Sequence, residues 1–218
     1  LIWQIFLFGD KEWIIKQIRL AEKNKCLALS ICLDAPVRSY RYSDRETRYD
    51  ARKYGRRSQR VSPDVEMALK YDFSIIGWIK KQTRLPIIPK GIVNYKDTIK
   101  LIDQGVDALW LSNHGGRMFN SGISGIDILN DHKKFIKTKL PIIIDGGVRK
   151  GSDIIKYLSL GADMIGIGRP AIYGLIANGY KGVENVFDIL HNEFKIAMTN
   201  GGYKNIADLN KSNIRINE

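Results

Sequence analysis

Cysteine is scarce in this 218-residue chain: there are two, Cys26 and Cys32, in or beside one apolar run. Neither has metal-ligand spacing, so no metal is expected and a reduced, intracellular chain is the reading. Long apolar runs are lacking too. The first, Leu1 to Phe8, is too short to span a bilayer, and no basic region precedes it as in a signal peptide. A cytoplasmic location is expected, with an anionic membrane face as an alternative partner surface. The chain opens on Leu1 rather than Met, inside that run, and the expectation is a fragment.

What is present points to one sizeable globular domain. With 44% apolar, 27% charged and 10% aromatic residues, the chain is not a disordered tail, a collagen-like chain or a coiled coil. A closed eightfold α/β barrel needs roughly 250 residues, slightly more than are available. The formal net charge of +12 suggests anionic partners: a phosphate cofactor, acidic substrates, nucleic acid or a membrane face. Much of it is concentrated between Arg38 and Arg60 and belongs to one segment.

An internal repeat organises the second half. A separation of 56 residues links Asp97 to Asp153, Lys100 to Lys156, Gly105 to Gly161 and Asp107 to Asp163. Each copy reads as a short helix opened by Asp, closed by Gly, and followed by a buried strand, Ala108 to Ser112 and Met164 to Gly168. Leu85 to Lys90 and Leu140 to Asp145 are apolar strands ending in a polar residue followed by Gly. Upstream, Trp3 to Phe8 and Ala28 to Leu33 are similar, with a helix between them at Lys11 to Lys23. Apolar strands alternating with amphipathic helices indicate βαβ units and a parallel sheet. Two stretches break the alternation: a basic, tyrosine-rich loop from Arg38 to Pro63, and an amphipathic helix from Val183 to Ala197.

In parallel α/β folds, functional residues sit where strands end and βα loops begin. Those positions hold Gln4, Phe6, Cys32, Asp34, Lys90, the run Ser112 to Arg117, the run Asp145 to Arg149, and Gly168 to Pro170. The paired glycines Gly146 and Gly147 let backbone N–H groups approach an anion. Arg149 and Arg169 can fork onto phosphate oxygens, where barrels commonly place a phosphate. A glycine turn with solvated arginines is the bland alternative.

His114 follows a strand directly, with glycines clearing space around it and Arg117 three residues on. A histidine base beside an arginine that clamps a carboxylate suits proton abstraction from a small acid. His132 and His191 are read as helical or loop surface without a role. Lys90, at a strand end, can neutralise a developing anion, although a surface lysine would look similar. Asp34, at another strand end, can orient His114 or stabilise its charged form.

Four motifs now carry a resemblance: Pro89-Lys90-Gly91-Ile92, Ser112 to Arg117, Asp145 to Asp153, and Ile167 to Pro170. In this order and spacing the chain resembles the FMN-dependent α-hydroxy acid dehydrogenase/oxidase family, from Trp3 to about Leu209. The family includes glycolate oxidase, lactate oxidase and the flavin domain of flavocytochrome b2. The resemblance implies an incomplete TIM (β/α)8 barrel, about its last six βα units. Residues 1–218 would form one partial domain, with a long basic loop at 38–63 inside it.

The resemblance also implies FMN as cofactor and oxidation of an L-2-hydroxy acid, lactate-like, to the 2-oxo acid. His114 would be the base, Asp34 its partner, and Lys90 the cation near the flavin. Arg117 and Arg41 would clamp the substrate carboxylate. Gln4 and Ser112 would contact the flavin ring. Asp145, Gly146, Gly147, Val148, Arg149, Gly168 and Arg169 would hold ribityl and phosphate.

Three departures stand out. Phe6 replaces a tyrosine whose hydroxyl reaches substrate, Cys32 replaces a flavin-contacting threonine, and Ser39 replaces a glycine. The family's early tyrosine and the segment packing against the flavin have no counterpart after Leu1. Expected partners are the hydroxy acid, an electron acceptor (oxygen, a quinone or a cytochrome), and further copies of the full-length chain.

Three other readings compete. One is an inactive fragment or degenerate copy. Another is nucleic-acid binding through Arg38 to Arg60, where tyrosines interleave with arginines, although a basic loop over the site explains that segment as well. The last is a different phosphate barrel, of the isopentenyl diphosphate isomerase or IMP dehydrogenase kind, which would not need His114-Gly115-Gly116-Arg117.

Overall fold

The computed structural model describes residues 1–36, 46–47, 70–118 and 122–215. Arg41, Ser39 and the basic segment 38–63, apart from Glu46 and Thr47, lie outside the described residues.

Six parallel strands run in sequence order: β1 (Ile2–Phe6), β2 (Ala28–Cys32), β3 (Ile87–Ile92), β4 (Leu109–Leu111), β5 (Ile142–Asp145) and β6 (Met164–Gly166). The helices are α1 (Lys11–Lys23), α2 (Ser74–Lys80), α3 (Tyr95–Asp103), α4 (Gly125–Phe135), α5 (Gly151–Ser159) and α6 (Arg169–Asn200). Among the described residues each strand pairs with its neighbours in the chain order, and the sheet curls into the open arc of a barrel.

Alternation of side chains separates the two faces of this arc. Leu29, Ile31, Ile87, Leu109, Leu111, Ile142 and Ile144 point outward, into the core shared with Ile14, Ile18, Ile76, Leu101 and Ile128 of the helices. The concave face carries a second, smaller cluster: Ala28, Ile88, Ala108 and Ile143, with Trp110 against it.

The helices form for local reasons. Asp10 caps α1 by accepting from the Trp13 N–H at 2.8 Å, and Ile14, Ile18 and Ala21 recur on its buried face. The helix spans the residues its pattern indicates. The repeated helices start earlier than expected. Asn94 caps α3 and Lys150 precedes α5, so Asp97 and Asp153 stand in the first turn rather than at the cap. Asp153 reaches back to the N–H groups of Arg149 and Lys150, at 3.0 and 3.1 Å.

The repeat's second aspartate has a separate task. Asp107 Oδ2 accepts from the Ile87 N–H, and Asp163 Oδ2 accepts from the Ile142 N–H, each at 2.8 Å. Their own N–H groups donate to the carbonyls of Ile87 and Ile142. Each aspartate thus ties the start of one strand to the strand before it.

Several expected boundaries move. β3 continues two residues past Lys90 through a register shift, and β4 is shorter than Ala108 to Ser112. The expected terminal helix, Val183 to Ala197, is the second arm of α6, which kinks at Asn178 and Gly179. The two arms cross so closely that a β-carbon on Gly174 would strike the Gly182 backbone. His132 is not at the surface: it is 1% exposed, beside Ile128 O at 2.7 Å and Thr98 Oγ1 at 2.8 Å. His191 is exposed, as read.

Candidate active site

Inward-facing residues at the carboxyl ends of the strands converge. The register sets Phe6 beside Cys32, Cys32 beside Lys90, and Asp145 beside Gly166. Lys90 is 7% exposed. Its ammonium donates to Ser112 Oγ at 3.0 Å, pairs with Asp145 Oδ2 at 3.1 Å, and lies 5.1 Å from the Trp110 ring centroid. Ser112 in turn donates to Asp145 Oδ1 at 2.6 Å, and the Trp110 indole donates to Asp145 Oδ2 at 3.0 Å. A buried cation is therefore held at one place by a saturated network.

His114 sits in a short helical turn, His114–Gly116, with φ of +54°. That turn is held by the two side chains that precede it. The His114 N–H donates to Ser112 Oγ, and the Gly115 N–H donates to Asn113 Oδ1, both at 3.0 Å. Positive φ at Gly115 and Gly116 continues the turn.

The imidazole is aimed at Asp34, with Nδ1 3.1 Å from each carboxylate oxygen. The Cys32 thiol donates to Asp34 Oδ1 at 3.1 Å. Burial works to raise the Asp34 carboxyl, but hydrogen bonds from His114 and Cys32, and the charges of His114 and Lys90, outweigh it and hold the carboxyl below its ordinary range. Burial, followed by the Asp34 charge, pushes the Cys32 thiol well up.

Around this centre the anion-binding elements form a rim. Gly146 and Gly147 adopt φ of +95° and +74°. Gly168 ends the β6 loop and precedes α6, and a β-carbon there would meet nothing within 4 Å. The Arg169 guanidinium donates to Gly115 O at 3.3 Å, joining the β6 loop to the His114 turn. Arg149 donates to Val148 O at 2.8 Å. Arg117, Arg149 and Arg169 are all exposed, whereas Val148 is buried. Gln4 is exposed opposite Ser30, and Phe6 stacks on Phe8 with centroids 5.4 Å apart.

The structure thus brings Cys32, Asp34, Lys90, Ser112, His114 and Asp145 together and leaves the arginines on the rim. Two residues escaped the sequence reading. Trp110 braces Asp145, and the Tyr157 hydroxyl donates to Gly146 O at 2.7 Å, fixing the glycine turn from below. Burial pushes the Tyr157 phenol up to about 12, with Asp145 adding to the effect. Its signal was in the repeat: Tyr157 stands where the first copy has Leu101, a polar group at a core position.

Comparison with known proteins gives this arrangement a family. The model of the FMN-dependent dehydrogenase family matches residues 1–216. The chain is 32% identical to the peroxisomal (S)-2-hydroxyacid oxidase GLO3 of Arabidopsis thaliana, over 97% of this chain and 62% of that protein. It is 35% identical to an L-lactate oxidase of Lentilactobacillus hilgardii, over 95% of this chain and 60% of that one. Among solved structures, an active chimera of (S)-mandelate dehydrogenase superposes with a TM-score of 0.88 at 25% identity, covering 99% of this chain and 65% of its own. The chain spans about three-fifths of the length of the curated relatives it matches. The incomplete barrel expected from the motifs is the fold observed, and the chain belongs to the FMN-dependent dehydrogenase family.

Proposed function

We propose that this site serves the FMN-dependent oxidation of a small, lactate-like L-2-hydroxy acid to its 2-oxo acid. The observation that carries the reading is the His114–Asp34 pair, beside a buried ammonium and inside an anion-binding rim. The residues present fit FMN. Gly146 and Gly147 bare their backbone after β5, and α6 opens after the neighbouring strand β6, an arrangement suited to a phosphate. Lys90 sets a buried positive charge at the strand end, which would stabilise a ring that gains negative charge on reduction. Ser112, Gln4 and Cys32 would line the ring, and Arg149 and Arg169 the phosphate.

When bound, FMN would accept the hydride equivalent from the substrate α-carbon and pass the electrons to oxygen, a quinone or a cytochrome. The chain's own groups would do the rest. His114 would take the substrate proton at Nε2, the ring nitrogen turned away from Asp34. Asp34 would hold the Nδ1 proton and stabilise the imidazolium that forms. Arg117, with Arg41, would grip the carboxylate and orient the α-carbon. Phe6 would offer an apolar wall without a hydroxyl.

An inactive copy is not favoured, because the pairs Asp34–His114 and Lys90–Asp145 are both present and in contact. Assembly into a homo-oligomer and a cytoplasmic location belong to the same proposal. Among the described residues, no helix is long and apolar enough to cross a membrane.

The test is anaerobic addition of L-lactate and other 2-hydroxy acids to the FMN-loaded protein. Bleaching of the flavin is expected, and His114→Gln should slow it at least ~10²-fold while FMN stays bound. No bleaching with any 2-hydroxy acid would overturn the assignment.

A further inference from the structure

Cys32, Asp34 and His114 offer one sulfur, one oxygen and one nitrogen donor, all within 4.8 Å of one another. We propose that these three residues bind one soft divalent cation of the zinc class, and that the filled site takes His114 out of service as a base. Sequence spacing hid the cluster, because His114 reaches Asp34 across 80 residues of chain.

The geometry is close to what such an ion requires. Ligand bonds of about 2.0–2.3 Å in a tetrahedron place donor atoms roughly 3.3–3.7 Å apart. Here the Cys32 sulfur and the His114 nitrogen each stand 3.1 Å from an Asp34 oxygen, and all three donors lie within 4.8 Å of one another, so the side chains would adjust around the ion. The three residues leave one coordination position for water or a substrate oxygen. Cys32 is buried, and the His114 side chain retains 22% of its exposure, which provides a way in.

Charge balances in the filled site. On binding, the sulfur–hydrogen bond breaks, a sulfur–metal bond forms, and the proton leaves to solvent. A divalent ion with one thiolate, one carboxylate and a neutral imidazole carries no net charge, which suits a half-buried place. The buried cation Lys90 on the adjoining strand is already paired with Asp145.

The inhibitory consequence rests on the function proposed above; the binding does not. A neutral imidazole has one nitrogen lone pair. With the ion on Nδ1, the ring proton must sit on Nε2, and that nitrogen can no longer accept one from substrate.

Equilibrium dialysis of the FMN-loaded protein against zinc, and cadmium NMR of the same protein, test the binding. One equivalent of zinc is expected, with a cadmium resonance shifted downfield by a single thiolate ligand. Cys32→Ser should bind zinc at least ~10²-fold more weakly, since even outer partners of a ligand are worth 10–100-fold. Cys26→Ser should bind normally. Absence of a thiolate-shifted cadmium resonance in the unsubstituted protein overturns the proposal without any variant. Zinc uptake undiminished in Cys32→Ser does the same. Zinc that binds through Cys32 yet leaves flavin reduction by L-lactate unslowed would overturn the inhibitory role alone. A protein that binds zinc but is never reduced by hydroxy acids would leave the site standing and remove the proposed function.

Discussion

Gly91 has no side chain where Asp34 needs the space: a β-carbon at position 91 would stand 2.7 Å from Asp34 Oδ1. Its φ of +95° is also a conformation that other residues rarely adopt. The glycine following Lys90 therefore serves the carboxylate on the neighbouring strand. Lys90 O accepts from the Leu33 N–H at 2.8 Å, which keeps the two strand ends in step.

Gly91→Ala should accordingly uncouple Asp34 from His114. The expected cost to stability is about 1–3 kcal/mol from the strained backbone. The expected cost to flavin reduction is on the order of 10²-fold, comparable with losing general base help. Stopped-flow reduction beside a urea unfolding curve would measure both. A folded variant that reduces its flavin at the original rate would show that Asp34 tolerates displacement.

The Tyr157 hydroxyl holds the Gly146 carbonyl under the glycine turn. Tyr157→Phe keeps the buried ring and deletes that bond, so about 1 kcal/mol of positional control is lost. FMN affinity, read by fluorescence quenching, should fall roughly fivefold, with little change in the substrate dependence of flavin reduction. Unchanged FMN affinity would mean that the turn is held by Gly146 and Gly147 themselves.

Much of this was legible in the sequence, for identifiable reasons. Buried parallel strands are continuous apolar runs, so all six could be seen, and α1 carried both its cap and its period. The ends of β3 and β4 could not be placed, because partner registry rather than composition decides where pairing stops. Asp97 and Asp153 read as caps in the sequence because a first-turn aspartate and a cap look alike when Asn94 or Lys150 lies just upstream. His132 looked like surface because its partner, Thr98, lies on another helix. The candidate residues that the structure brings together share a position at strand ends, whereas Trp110 and Tyr157 lie below the loops and carry no motif.

The aspartates that follow the repeat's glycines should matter to stability and not to chemistry. Asp107→Ala leaves the Ile87 N–H without its carboxylate and frees Lys80 from its ion pair. The pair is exposed enough to contribute little, so the backbone bond should dominate, at about 1 kcal/mol. The urea midpoint should drop while the rate of flavin reduction per folded molecule stays the same. A change in that rate would place Asp107 in the active-site framework.

His132 should make the protein acid-sensitive in a defined window. Its imidazole lies buried between Ile128 O and Thr98 Oγ1. The carbonyl can only accept, so Nδ1 carries the proton and Nε2 accepts from the threonine hydroxyl. Burial pulls the group below its ordinary value of 6.5, against the opposing effects of the Ile128 carbonyl and Asp131. Below that value the unfolded chain takes up a proton that the folded protein refuses. The stabilisation is thus fully present above pH 6.5 and is lost as the pH falls toward the depressed folded value. The slope attributable to one such group is at most about 1.4 kcal/mol per pH unit. His132→Gln, which can keep both hydrogen bonds but does not titrate, should flatten the dependence between about pH 7 and pH 5. Urea midpoints of the two proteins across that range give the measurement. Parallel curves would mean that the folded protein protonates His132 as readily as the unfolded chain does.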